Sequence, residues 1–177
     1  MNNGFYIPLR KGYTNMEIRK TMLEDVDSLL MIFERARGFM RSIGNYVQWI
    51  NGYPSREQVV RDIEAGCSYC VLNAANKVVG TFVAVEGEDP TYREIWDGAW
   101  LNDEPYVTIH RLASDGSEKG MAEACLRWCM VRWDNIRADT HRDNQVLLHI
   151  LPKYGFRRCG IIHVADGSER IAFQWLR

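Results

Sequence analysis

Hydrophobic and polar positions alternate along this chain in blocks that change period, and the changes mark its elements. A four-residue strand is expected at 17–20. Thr21 and Glu24 then have capping-box spacing, and Val26, Leu29, Leu30, Phe33 and Met40 follow at helical intervals. Ser55 and Gln58 repeat the device ahead of Val59, Val60 and Ile63, predicting a short helix that Gly66 closes. Residues 68–73 and 78–86 read as two strands of a hairpin. Residues 106–113 read as a strand buried on both faces, and 114–117 are small or turn-forming. From Gly120 a new helical stripe runs through Met121, Ala122, Cys125, Trp128 and Cys129.

The remainder continues the alternation. A strand is expected at 135–140, followed by a turn with Asn144 as N-cap and a helix carrying Val146, Leu147 and Ile150. Pro152 should end or bend that helix, with Gly155 as its C-terminal cap. Two strands, 156–164 and 169–175, flank a tight turn at Asp166, Gly167 and Ser168. This order of elements predicts an α/β sandwich with a mixed sheet. Residues 1–15 show no period and read as an arm, disordered or strapped onto a single domain at 16–177.

Composition narrows the function classes. A chain of 177 residues with 46% hydrophobic and 25% charged positions suits one domain with one core. The net charge of −1 gives no footprint for nucleic acid, and no apolar run approaches the ~20 residues of a membrane span. Five cysteines, an odd number, without a secretory leader suggest reduced thiols and a cytoplasmic setting. Cys67 and Cys70 form a CxxC, but on a strand residues three apart face opposite ways, so no metal is expected.

Two stretches carry chemistry. A strand, a loop with Gly116 and Gly120, and a helix start gather unpaired amides and the positive end of a helix dipole, a place for phosphate. No complete dinucleotide-binding or P-loop motif is present, so the alternative is a ligand-free connection. The connection at 87–105 is far longer than the usual ~4–6 residues, and it sets Glu88, Asp89, Glu94, Asp97, Asp103 and Glu104 against a single Arg93. Tyr92, Trp96 and Trp100 are interleaved with these acids, as is Trp49 with the tyrosines of the 44–54 loop. Acids beside aromatic faces favour an organic cation; otherwise the loop is solvated and its tryptophans pack it down.

In its element order and two local motifs the chain resembles the GNAT superfamily of acyl-CoA-dependent N-acetyltransferases, over about 17–175. The family's pyrophosphate signature is Arg or Gln, two residues, Gly, one residue, then Gly or Ala. The matching window has Ser117, Gly120 and Ala122, with Ser at the first position. The second motif, a strand, Thr, an Asn-headed helix and Gly-Phe, is matched by Thr140, Asn144, Gly155 and Phe156. The resemblance implies about seven mostly antiparallel strands, splayed at the centre, with four helices on the two faces. It implies that Leu112 and Ala113 meet the pantetheine arm of acetyl-CoA, that Ser117, Glu118, Lys119, Gly120, Met121 and Ala122 hold the pyrophosphate, and that Asn144 faces the cofactor.

Many family members carry a tyrosine acid seven residues after that asparagine; here that position is Leu151, and Tyr154 is the nearest replacement. His110, on the strand before the loop, either acts as the base or is a core histidine; His141 either shares that role or caps the helix entry. The implied activity is transfer of an acetyl group from acetyl-CoA to a primary amine of a small cationic molecule, admitted under Trp49, Trp96 and Trp100. The alternative is a non-catalytic acyl-CoA-binding module. A homodimer is compatible with the sequence.

Overall fold

The computed structural model describes residues 5–6 and 16–177, so the arm at 1–15 falls outside the described residues except for Phe5–Tyr6. The chain divides into two compact units, residues 1–84 with 111–128 and residues 85–110 with 129–177.

In the first unit, β1 (Phe5–Tyr6), β2 (Glu17–Lys20), β3 (Ser68–Leu72) and the first part of β4 (Val78–Glu86) form an antiparallel ladder. Two helices, α1 (Val26–Ser42) and α2 (Arg56–Glu64), belong to it. Val26, Leu29, Ile32 and Phe33 of α1 make one core cluster with Val59 of α2, Cys70 and Leu72 of β3, and Ala113. The α2 N-terminus is capped as expected, with the Gln58 N–H donating to Ser55 Oγ at 3.3 Å. The first capping box is different. A 3-10 turn at Leu23–Asp25 precedes α1, and Asp25, not Glu24, accepts the Met22 N–H at 2.8 Å. Thr21 instead accepts a hydrogen bond from the buried Ser68 hydroxyl at 2.9 Å.

In the second unit, the first residues of β5 (Val107–Ser114) run parallel to β6 (Asn135–Thr140), which pairs antiparallel with β8 (Glu169–Leu176), itself paired with β7 (Arg157–His163). The described residues thus hold eight strands, the two-residue β1 being additional to those expected. Two further helices complete the mixed α/β fold, α3 (Met121–Arg132), which runs through both units, and α4 (Gln145–Lys153). Helix α4 ends at Lys153, one residue past Pro152. Proline in the last turn loses only one backbone bond, and the Gly155 N–H then donates to the Pro152 carbonyl to close the helix.

The connection at 87–105 is ordered by the second unit. Trp96 and Ile161 exchange both backbone hydrogen bonds at 2.8 Å, and the chain approaches β7 so closely at Gly98 that a Cβ there would lie 1.9 Å from the Cys159 carbonyl oxygen. All five cysteines are free thiols, four of them buried and Cys67 partly so. Burial raises the Cys67, Cys129 and Cys159 thiols and pushes Cys70 up to about 12.

Candidate functional site

Of the expected site residues, Trp49, Leu112, Ala113, Ser117, Glu118, Lys119, Gly120, Met121 and Ala122 fall in the first unit. His110, Trp96, Trp100, His141, Asn144 and Tyr154 fall in the second.

The loop after β5 is shaped by Asp115. Its carboxylate accepts the Ser117 N–H at 2.9 Å and the Ser117 hydroxyl at 2.5 Å, while the Gly116 N–H donates to Ser114 Oγ. The side chain is buried, and Arg35 and Lys77 lie 3.4 and 3.7 Å from it. Burial pushes this carboxyl up, but the hydrogen bonds from Ser117 and the two cations hold it below its ordinary value. Gly120 has φ +79, a conformation that glycine adopts without steric cost, and α3 starts at the next residue. Past Ser117, the amides of Glu118, Lys119, Gly120, Met121 and Ala122 meet no protein acceptor among the described residues. Five successive donors beside a helix N-terminus suit a diphosphate, so these residues fit the phosphate-bearing part of acetyl-CoA.

Strand β5 departs from regularity just before this loop. Its pairing with β6 ends at Ile109, and Arg111 has φ +51. A non-glycine residue in that region costs on the order of 1–3 kcal/mol and needs surrounding contacts to hold it. They are present: Arg111 forms an ion pair with Asp62 at 2.8 Å and donates to Tyr53 Oη at 2.9 Å. Leu112 is half-buried beyond this kink, and Ala113 sits in the core.

In the second unit, His110 meets a residue that the sequence shows only as one acid among six. Its Nε2 lies 2.8 Å from Asp89 Oδ2. Asp89 caps a 3-10 turn at Pro90–Tyr92, accepting the Thr91 N–H at 2.9 Å and the Thr91 hydroxyl at 2.7 Å on its other oxygen. Burial raises this carboxyl, yet the bonds from His110 and Thr91 prevail and hold it at about 2. Tyr92 stands edge-on to the imidazole, ring centroids 5.9 Å apart, and donates its hydroxyl to Asp139 at 2.5 Å. Asp139 is 3.8 Å from Arg170. The signal for Asp89 was present in the chain as an acid directly before a proline, the N-cap and N1 pattern.

His141 is differently placed. Its Nδ1 accepts the Asp143 N–H at 3.2 Å, and burial, then Arg170, lower its pKa. Asn144 caps α4, its Oδ1 accepting the Leu147 N–H at 3.2 Å. Tyr154 is the C-cap of α4, with the Lys153 ammonium 5.6 Å from its ring centre, and Leu151 is buried.

The tryptophans are engaged by the protein itself. Trp49 packs edge-on against Phe33 at 5.5 Å. Trp100 stacks on Tyr92 at 5.4 Å and donates to its carbonyl, and the Arg137 guanidinium lies 4.1 Å from the Trp100 ring and 3.8 Å from the Tyr106 ring. The organic cation expected at these faces thus has an internal counterpart. Trp96 is half exposed and stands edge-on to His163. A hollow of about 530 Å³ lies elsewhere, at the starts of β5 and β6, lined by Tyr106, Asn135, Leu176 and neighbours and holding none of the expected residues. Among the described residues no group of three or more His, Cys, Asp or Glu is placed to hold a metal, and no helix is long and apolar enough to cross a membrane.

No family model matches the sequence, and a comparison with curated proteins finds no relative. Solved structures do match. A GNAT-family acetyltransferase from Streptococcus agalactiae is 28% identical, covers 93% of this chain and 97% of its own, and has a TM-score of 0.86. A GNAT-family acetyltransferase from Listeria monocytogenes shares the fold at 17% identity, with TM-score 0.69 and coverage of 96% and 99%. An N-acetyltransferase from Staphylococcus aureus shares it at 15% identity, with TM-score 0.60 and coverage of 92% and 99%. The fold and its solved structural neighbours support an acyltransferase. In fold and over nearly its whole length the chain is similar to the GNAT-family acetyltransferases.

Proposed function

We propose that this protein transfers an acetyl group from acetyl-CoA directly to the primary amine of a small cationic molecule. The observation that carries the reading is the run of five amides from Glu118 to Ala122 that meet no protein acceptor among the described residues, at a helix start opened by Gly120. These amides hold the diphosphate, and the main chain at Leu112 and Ala113 meets the pantetheine arm. Exposed Glu94, Asp97, Asp103 and Glu104 favour a cationic acceptor, since the one arginine among them, Arg93, is paired with Glu88 at 2.6 Å.

An ammonium has no lone pair, so one proton must leave before attack. His110 takes it. The freed amine nitrogen bonds to the thioester carbon, the C–S bond breaks with its electrons on sulfur, and the nitrogen gives up its second proton, which is the one that the thiolate gains, as the amide forms. The thiolate takes up a proton to leave as CoA thiol. A thiol of pKa ~8.5 needs little help at this point, so Tyr154 as acid is the less demanding role. His110 is preferred to His141 because the Nδ1 of His141 already accepts a backbone N–H.

The test is thioester consumption by the purified protein with a panel of primary amines. His110→Ala should lower kcat by ~10²–10⁴-fold while leaving acetyl-CoA affinity within about twofold. Equal loss of both would remove His110 as the base, and no consumption with any amine would overturn the catalytic reading.

A further inference from the structure

We infer that Asp89 is a positioning residue: it holds the His110 imidazole in the tautomer protonated on Nε2, which leaves Nδ1 as the basic nitrogen that meets the amine. The inference rests on the reading of His110 as base and adds which of its two nitrogens works and what keeps it so. An ionised carboxylate only accepts hydrogen bonds, so at 2.8 Å the Nε2 of His110 must be the donor to Asp89 Oδ2. In a neutral ring the other nitrogen then carries a lone pair. Among the described residues no hydrogen bond goes to Nδ1.

Asp89 is itself immobilised. Thr91 donates twice to its Oδ1, and its own N–H donates to Tyr106 Oη at 3.1 Å. The ring plane is set independently by Tyr92, at 89° to the imidazole, and the Tyr92 hydroxyl is anchored on Asp139. The ionisable groups around His110 within its unit are therefore Asp89 and Tyr92, then Tyr106 beside both, Asp139 of β6 behind Tyr92, and Arg170 of β8 behind Asp139. When Nδ1 takes the amine's proton, the imidazolium charge forms against the Asp89 carboxylate, which is already in place and needs no rearrangement. Without that carboxylate both tautomers are populated and the imidazolium loses its counter-charge.

Two measurements test this. Nitrogen NMR of labelled imidazoles in the wild-type protein at neutral or mildly alkaline pH should show His110 protonated on Nε2 and bare on Nδ1; the reverse tautomer overturns the proposal without any variant. Asp89→Asn should mix the tautomers, lower kcat by ~10–100-fold with the KM for acetyl-CoA unchanged, and move the acid limb of the pH–rate profile to lower pH. Asp89→Glu, which keeps a carboxylate, should restore part of kcat. An Asp89→Asn enzyme with wild-type tautomer, kcat and profile would refute the proposal. Should His110→Ala retain full turnover, the base reading fails, and the tautomer measurement still decides what Asp89 does to the ring.

Discussion

Asp89 shows how much a single carboxylate can be asked to do. Held at about 2 in the folded protein against ~3.9 in an unfolded chain, it adds stability that is complete above about pH 4 and is lost as pH falls through 2. The contribution is at most about 2 kcal/mol. Urea unfolding of wild type and Asp89→Asn at pH 6 and pH 3 should therefore show a smaller gap between the two proteins at pH 3. A gap that widens on acidification would contradict the assigned charge. Gly98 makes a steric prediction of the same scale. A methyl group there meets the Cys159 carbonyl at 1.9 Å, so Gly98→Ala should cost on the order of 1–3 kcal/mol in the same measurement.

Among the elements, α4 separates two roles that one residue combines. Asn144 is both the cap of the helix and a proposed neighbour of the cofactor. Asn144→Ala should cost ~1 kcal/mol of stability, and Asn144→Asp or Asn144→Ser should recover it. If acetyl-CoA affinity, read by calorimetry, recovers together with stability, Asn144 acts by shaping the helix start; if it stays low, the amide contacts the ligand. Much at this scale was legible in the chain. The spans 17–20, 78–86 and 135–140 emerge as β2, β4 and β6 with unchanged bounds, because period and turn residues agree there. The first capping box was not, since the choice between Glu24 and Asp25 depends on a 3-10 turn before α1 that leaves no period. Nor were Asp89 with His110, Asp62 with Arg111, or Arg137 between Trp100 and Tyr106. Each joins residues 21 to 49 positions apart, and pairings of that range are set by packing and not by local pattern.

For the whole molecule, saturating acetyl-CoA should raise the melting temperature, by about 2.7 kcal/mol of added stability at a hundredfold excess over Kd. Asp115→Asn should weaken that shift more than it lowers the melting temperature of the free protein, because the Asp115 carboxylate orders the turn that leads to the five amides. The burial of the cysteines has a practical corollary for such work. Thiols kept protonated and out of solvent react slowly with aromatic disulfide reagents, so the colour produced when CoA is released can be followed continuously over a low background from the native protein.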